Sequence, residues 1–340
     1  MEAITLHGSQ ILVGESAGIC SRYLPAARVI VITNPVVRSL HGGMFPTGDI
    51  IEIGDGEEYK TLETIDFITE KLIALEADRD TFLLGIGGGI VCDITGFMAS
   101  IFMRGCAFGF IPTTLLAQVD ASVGGKNGVN FRRYKNMLGL FAQPRVVLCD
   151  PALLYTLPSR VYAAGFAEVV KAAMIASASL FGDLEGALER IVRREETFLA
   201  HVVWEAIQIK AAIVARDERE RGERRLLNLG HTFAHAIEKS SCLSHGEAVS
   251  VGLCMASRLS VRLGLMSEAE RERVTNLLAS LDLPVKVDIP CSALLSIMRA
   301  DKKKSGDSIY LILPVGIGRC EMRLITFADL RQLLVSNDEP

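Results

Sequence analysis

Three of the six histidines in this 340-residue chain fall within one short stretch, "GHTFAHAIEKSSCLSHGEAV", positions 230–249. His231 and His235 are four apart, and on a helix residues with that spacing share a face. His245 lies ten further on, just ahead of Gly246-Glu247. Imidazole is a common zinc ligand, and a catalytic zinc usually takes three protein ligands and keeps a further position open. Its ordinary pKa, about 6.5, also suits a proton carrier at neutral pH. A His-x-x-x-His pair by itself is more often two packed, hydrogen-bonded histidines than a chelate. A third histidine shifts that balance, and a carboxylate would complete the set. Glu168, the lone acid of the apolar stretch "GFAEVVK", is the leading candidate, with Lys171 three residues on along the same helical face. Glu238 and Glu247 compete with it. Spacing leaves open which carboxylate and which two histidines would bind.

A second stretch has residue types suited to an anion. "GIGGGIVCDITGF" (85–97) places glycines between an apolar run and a helical one, where backbone can approach a pyrophosphate and a helix N-terminus favours negative charge. The G-x-G-x-x-G fingerprint is not met, because Ile90 stands at its sixth position. The bland alternative is a tight strand–helix turn. Further on, "IPTTLLAQVDASVGGKNGVNFRRYKN" (111–136) supplies Thr113, Thr114, Asp120, Lys126, Asn130, Lys135 and Asn136 around two glycines. Such a polar run beginning at a strand end suits a ligand crevice of an open α/β sheet, with a solvated loop as its alternative. "RDERERGERR" (216–225) and "ADKKKSGD" (300–307) read as solvated charge, and His7, His41 and His201 as structural or surface residues.

These groups must be positioned by regular elements. Strands are expected over 28–34, 49–55, 81–89 and 107–114, and helices over 61–77 and 90–103. That alternation predicts a mostly parallel sheet covered on both faces. Helical periods then dominate, over 159–177, 197–218, 226–240 and 246–264. "SEAE" (267–270) reads as a capping box, and 308–325 as a short β return. Two domains are expected, an α/β domain over 1–150 and a mainly helical one over 151–340. Net charge is −4 with no long basic tract, which argues against nucleic acid as the partner. Eight scattered cysteines without a C-x-x-C pair read as reduced thiols. No signal peptide and no uninterrupted apolar run of membrane length is visible, so a cytoplasmic protein is expected.

Ten stretches, "DGEEYK", "GGGIVCDITGFMAS", "RG", "PTTLLAQVDASVGGKNGVN", "KNMLG", "TLPSR", "GFAEVVK", "DERERGERRLLNLGHTFAHAIE", "HGEAVSVG" and "DKK", run in this order from about residue 54 to 303. Together they resemble the 3-dehydroquinate synthase family. The resemblance implies a Rossmann-like N-terminal domain with a mostly parallel sheet and an all-α-rich C-terminal domain. It further implies NAD in the cleft between them, with the pyrophosphate on Gly87, Gly88 and Gly89. Other implied cofactor contacts are Asn34, Glu57, Lys60, Asp93, Thr113, Thr114, Lys135, Thr156 and Leu157. One divalent metal, zinc or cobalt, would be bound by Glu168, His231 and His245. His235 would assist proton transfer instead.

Asp120, Lys126, Lys171, Arg224 and Asn228 match catalytic positions. Asn136, Lys210 and one of Lys302 and Lys303 match substrate-binding ones. Arg104 matches an arginine that reaches the substrate of a neighbouring subunit, which implies a homodimer. The implied reaction converts a seven-carbon sugar-acid phosphate to a carbocycle plus phosphate, by transient oxidation, phosphate elimination, re-reduction and aldol closure. Two rivals remain. A sister sugar-phosphate cyclase would differ at Lys210, Asn228 and His235, all three of which carry the dehydroquinate-synthase residue. A metal-dependent alcohol or glycerol dehydrogenase would accumulate NADH. Ala234 and Arg225 depart from the family pattern.

Overall fold

The computed structural model describes residues 1–132, 134–301 and 306–335. They form two compact units, Met1–Pro158 with Arg194–Arg219, and Ser159–Arg193 with Glu220–Pro340.

The first unit opens with strands β1 (Glu2–Leu6) and β2 (Ser9–Val13), then β3 (Val29–Thr33), α1 (Pro35–His41), β4 (Asp49–Glu52) and α2 (Leu62–Ala74). It continues through β5 (Phe82–Gly87), α3 (Gly89–Ile101), β6 (Phe108–Pro112), β7 (Lys126–Phe131), β8 (Tyr134–Phe141) and β9 (Val146–Cys149). The second unit begins with α4 (Ser159–Ala176), α5 (Ala178–Gly186) and α6 (Leu188–Val192). The chain then returns to the first unit for α7 (Glu196–Arg216). The rest of the second unit is α8 (His231–Glu238), α9 (His245–Arg262), α10 (Glu268–Ser280), α11 (Cys291–Asp301), β10 (Ser308–Pro314), β11 (Cys320–Thr326) and α12 (Phe327–Val335).

Seven strands make the main sheet of the first unit in the order β1-β2-β9-β6-β5-β3-β4, parallel except for the β1–β2 pair. The sequence explains this. "FLLGIG" of β5, "FGFIP" of β6 and "VVLC" of β9 are continuous apolar runs buried on both faces, as a covered parallel sheet requires. Phe82, Leu84, Ile86, Val31 and Leu148 pack into one core on one side. From β3 the chain steps outward to β4, and from β5 it steps the other way to β6. The carboxyl ends of β3 and β5 therefore flank a topological switch point, where ligands of open α/β sheets bind. Thr33 Oγ1 at the end of β3 donates to the Ile86 carbonyl of β5 at 2.8 Å and ties the two ends together.

Three expectations change in detail. The end of the polar stretch 111–136, whose alternative was a solvated loop, enters the antiparallel β7–β8 hairpin, with Gly128 opposite Gly139. The helix expected over 226–240 is broken: a 3₁₀ turn spans Glu223–Asn228, Gly230 takes a left-handed φ of 77°, and α8 starts after it. The expected domain break near 150 falls after Pro158, and residues 194–219 belong to the first unit. Hydrogen bonds show why: Arg194 donates to the carbonyls of Leu154, Tyr155 and Leu157, each at 2.7 Å, and Lys210 Nζ donates to the Asp120 carbonyl at 2.7 Å. By length and composition α7 could cross a membrane, although Glu205 and Lys210 interrupt its apolar residues. It is instead half covered within the protein, 56% of that window being buried, and it carries Lys210 into an ion pair with Asp120.

In the second unit α9 lies against α4 and the start of α8 with backbone touching backbone. A Cβ on Gly246 would sit 2.0 Å from the Ala164 carbonyl oxygen, and one on Gly252 would sit 2.3 Å from that of Gly230. Both glycines are required for this approach, which brings three helices close enough to share one cluster of side chains. Ser244 opens α9 with a capping box to Glu247, and Ser267 opens α10 with the expected one to Glu270.

Candidate active site

On α4 the sequence places Glu168 among apolar neighbours, and its side chain is 1% exposed. Lys171, one turn on, is equally buried and ion-pairs with Glu168 Oε2. From α8, His231 Nε2 stands 3.5 Å from Glu168 Oε1, and from α9, His245 Nε2 stands 3.3 Å from the same oxygen. One ligand atom from each of Glu168, His231 and His245 lies within 4.8 Å of the others. Lys171 meets Glu168 Oε2, and Oε1 faces both imidazole nitrogens. A carboxylate buried this deeply is costly unless cationic groups meet it. Two imidazole nitrogens and a carboxylate oxygen are the donor set that zinc takes in catalytic sites, so the residues fit the metal.

The imidazoles are set for this. His231 Nδ1 lies 3.1 Å from the Leu229 carbonyl, which directs Nε2 toward Glu168. Burial first, then Lys171, lowers His231 to about 3, which keeps its ring neutral. Burial would lower His245 too, but the Glu168 and Glu238 carboxylates raise it to about 10. Burial pushes Glu168 up, while Lys171, His231 and His245 pull it well below the usual carboxylate range. The cluster thus gathers positive charge around one anionic oxygen pair.

The three competing carboxylates now separate. Glu168 faces both histidines. Glu238 Oε1 meets the other ring nitrogen of His245 at 3.5 Å. Glu247 is committed elsewhere: it accepts from the Ser244 backbone N–H at 2.7 Å and from Arg160 Nε and Nη2 at 2.6 and 2.8 Å. His235, despite its i+4 spacing from His231, is exposed, its ring centroid 5.7 Å from that of His231. Arg224 lies in the 3₁₀ turn before α8 and is 1% exposed, unlike the solvated helix end read from its charged neighbours. Asn228 Nδ2 donates to Glu220 Oε1 at 2.6 Å. Glu220 and Arg160 were missed because each sits in a charged or cap-like context that reads as surface; nothing local marks their partners.

In the first unit the glycine turn follows β5. Gly88 is the N-cap of α3 and supplies no side-chain cap, so the helix's first N–H groups are left to an anion. Absence of Cβ is what matters here: one on Gly87 would meet Val91 Cγ2 at 2.5 Å, and one on Gly89 would meet Ala121 Cβ at 3.1 Å. At the β3 end, Asn34 caps α1 by accepting from Val37 N at 2.8 Å and donates to Asp55 Oδ1 at 2.7 Å. Buried Lys60 ion-pairs with Asp93 and donates to Asn136 Oδ1 at 2.6 Å. Burial pushes Asp93 up and Lys60 pulls it partly back.

Asn130 joins the same network, donating to Glu57 Oε1 and accepting from the Asn136 backbone N–H, both at 2.8 Å. Thr113 and Thr114 follow β6, and a π-helical turn, Ala117–Ala121, carries Asp120 to Lys210. Thr156 Oγ1 lies 3.0 Å from His41 Nε2, and the Leu157 carbonyl is held by Arg194. His41, read as a structural or surface residue, thus meets a position matched to the cofactor. Lys126 and Lys135 are exposed on the β7–β8 hairpin. Arg104 is exposed just past α3, with a left-handed φ of 72°. Lys302 and Lys303 lie outside the described residues.

Known proteins resemble this chain along most of its length. Residues 50–164 match the family model for the 3-dehydroquinate synthase N-terminal region, and residues 165–304 match that for the 3-dehydroquinate synthase C-terminal region. A 3-dehydroquinate synthase of Halorhodospira halophila (strain DSM 244 / SL1) is 44% identical over 309 residues, covering 88% of this chain and 87% of that one. Among solved structures, 2-epi-5-epi-valiolone synthase from Streptomyces hygroscopicus subsp. jinggangensis 5008, with NAD+ and Zn2+ bound, superposes with a TM-score of 0.87 at 29% identity, covering 99% of this chain and 97% of that one. A 2-deoxy-scyllo-inosose synthase complexed with carbaglucose-6-phosphate, NAD+ and Co2+ gives 0.86 at 26% identity, covering 98% and 100%. Two family models that run consecutively over most of the sequence, and a relative this similar over nearly its whole length, decide the matter: the chain belongs to the 3-dehydroquinate synthase family.

Proposed function

We propose that the chain is a 3-dehydroquinate synthase, converting 3-deoxy-D-arabino-heptulosonate 7-phosphate to 3-dehydroquinate and phosphate with NAD and one divalent metal, zinc or cobalt. The observation that carries the proposal is the buried Glu168–His231–His245 cluster beside Lys171, within the stretch that matches the family's C-terminal model. Bound NAD supplies a hydride acceptor that is regenerated each turnover, and the bound metal supplies a Lewis acid that acidifies a substrate hydroxyl.

The protein's own groups do the rest. Glu168, His231 and His245 hold the metal. Lys171 places a fixed positive charge beside it, and exposed His235 exchanges protons with the substrate. Lys126, Lys210, Arg224, Asn136 and Asn228, together with one of Lys302 and Lys303, hold a substrate that carries both a carboxylate and a phosphate. Arg224 suits two-point recognition of an oxyanion, whereas the lysines act as point charges. Asp120, paired with Lys210, borders the reacting carbons. The N-terminus of α3 with Gly87, Gly88 and Gly89 receives the pyrophosphate. Asn34, Glu57, Lys60, Asp93, Thr113, Thr114, Lys135, Thr156 and Leu157 complete the nucleotide site.

The protein acts as a homodimer in which Arg104 serves the partner's substrate. Exposed Ile73, Ile101 and Met103, which line an apolar groove next to Arg104, support a protein-covered surface there. Cysteines that form no disulfide among the described residues suit a reducing, cytoplasmic setting.

The test uses purified protein with NAD, zinc and the heptulosonate phosphate. Phosphate and 3-dehydroquinate in equal amounts, with no net NADH, is the expected result. No phosphate release from this substrate but release from another sugar phosphate assigns a sister cyclase. NADH accumulating on simple polyols assigns a dehydrogenase. Either overturns the proposal.

A further inference from the structure

We infer that Glu238 is a positioning residue for the metal centre: its carboxylate accepts the Nδ1 hydrogen of His245 and so turns Nε2 of that ring toward Glu168 and His231. This rests on the proposed metal role of Glu168, His231 and His245. The two histidines are aimed by different means. His231 Nδ1 lies 3.1 Å from the backbone carbonyl of Leu229, an acceptor that no substitution removes. His245 Nδ1 lies 3.5 Å from Glu238 Oε1, while its Nε2 lies 3.3 Å from Glu168 Oε1. Both ring nitrogens of His245 thus face carboxylates. An imidazole that ligates through Nε2 keeps its hydrogen on Nδ1. A carboxylate acceptor at Nδ1 fixes that tautomer, sets the ring's tilt and makes Nε2 a better donor to metal.

The placement of Glu238 argues that the contact is its purpose. It is the last residue of α8, and its side chain is 6% exposed. A helix C-terminus already carries partial negative charge, so an acid is disfavoured there, and burial adds to the cost. The neighbouring imidazole N–H, 3.5 Å away, offsets part of both. The geometry follows from α8 itself. His231, His235 and Glu238 are spaced i, i+4 and i+7, one stripe of the helix. One short helix therefore supplies a ligand of its own and orients a ligand of the next. The remaining nearby carboxylate, Glu247, cannot substitute, because its oxygens are engaged by Arg160 and the Ser244 N–H.

The experiment loads wild type, Glu238→Gln, Glu238→Ala and Glu168→Ala with zinc or cobalt. It measures metal retention against a chelator, the visible d–d spectrum of the cobalt forms, and the melting temperature of the metal-free proteins. Metal affinity should fall by about 10–100-fold in Glu238→Ala and by less in Glu238→Gln, the range typical of groups that orient a ligand. The cobalt spectrum should shift as the His245 ring turns, and Glu168→Ala should lose metal outright. Wild-type retention and an unchanged cobalt spectrum in both Glu238 variants, with Glu168→Ala depleted, would overturn the inference while leaving the metal centre intact. A lowered melting temperature without a change in either metal readout would assign Glu238 to packing and overturn it equally. Full retention in Glu168→Ala would mean that the metal site itself is misassigned, and the inference fails with it. If Glu238→Ala does not fold, the near-isosteric Glu238→Gln decides by the same criteria.

Discussion

At the carboxyl ends of β3 and β5, Lys60 is held by Asp93 and Asn136, and nearby Lys210 is held by Asp120. In the second unit Lys171 and two imidazoles surround the Glu168 carboxylate. The first arrangement spreads recognition over backbone N–H groups and side chains that already satisfy one another. Removing Lys60 would still leave Asn130 bonded to Glu57 and to the Asn136 backbone N–H. The second concentrates it on three side chains from three helices, where one atom is a large share of the whole. Distributed sites lose function by degrees, and convergent ones lose it at a stroke.

The sharpest way to break this contrast is Glu168→Ala. Bound metal should fall to background in elemental analysis, a loss beyond the ~10²-fold reached by changes that merely reorient a ligand. Retained metal would place the site elsewhere. His235→Ala should keep its metal but lower kcat by roughly 10²–10⁴-fold, the span of general acid–base contributions. Loss of metal in both variants would make His235 a ligand and reject the split between the two helix histidines.

A matched pair of glycines compares the units directly. Gly246→Ala puts a methyl 2.0 Å from the Ala164 carbonyl oxygen, so α9 must shift away from α4. It should destabilise by about 1–3 kcal/mol and weaken metal binding along with it. Gly88→Ala meets only the Thr114 side chain, at 3.3 Å. Its expected effect is roughly tenfold on NAD affinity, about 1.4 kcal/mol, with metal retained. Calorimetric titration of each variant with NAD and with zinc separates these outcomes.

The smallest effect is a pH dependence. Hydrogen bonding to Arg160 holds Glu247 at about 2, below its ordinary 4.5. Its folded-state value is depressed, so its stabilising contribution is complete above about 4.5 and is lost as pH falls through about 2. Melting temperatures of wild type and Glu247→Gln should therefore differ at neutral pH and converge in acid. A gap that stays constant down to pH 2 would show that the charge on Glu247 contributes nothing.

Much of the architecture was legible along the chain, for a definite reason. Apolar runs buried on both faces and helical apolar stripes are local patterns, and β3, β5, β6, α2, α3, α4 and α9 follow them to within a few residues. The β7–β8 hairpin was not legible. Polar residues and glycines interrupt its apolar ones, β8 is mostly exposed, and the two strands bring backbone against backbone across Gly128 and Gly139. The return of α7 to the first unit was hidden in the same way, since its ties to Asp120 and to the 154–157 segment join residues far apart in sequence.

For the site, residue chemistry by itself offered histidines, an acid in an apolar stretch and a glycine turn as candidates, each with a bland alternative. The resemblance to a known family named the three ligands. The chain's own spacing could not, because i+4 describes one helix, whereas ligation depends on how three helices meet. That meeting is set where Gly246 and Gly252 let α9 touch the backbones of α4 and the segment leading into α8. It turns His231 and His245 toward Glu168, leaves His235 exposed, and engages Glu247 with Arg160. Sequence determined which groups were available. Only the packed structure decided which of them converge, since convergence is a property of backbone approach that no local spacing encodes.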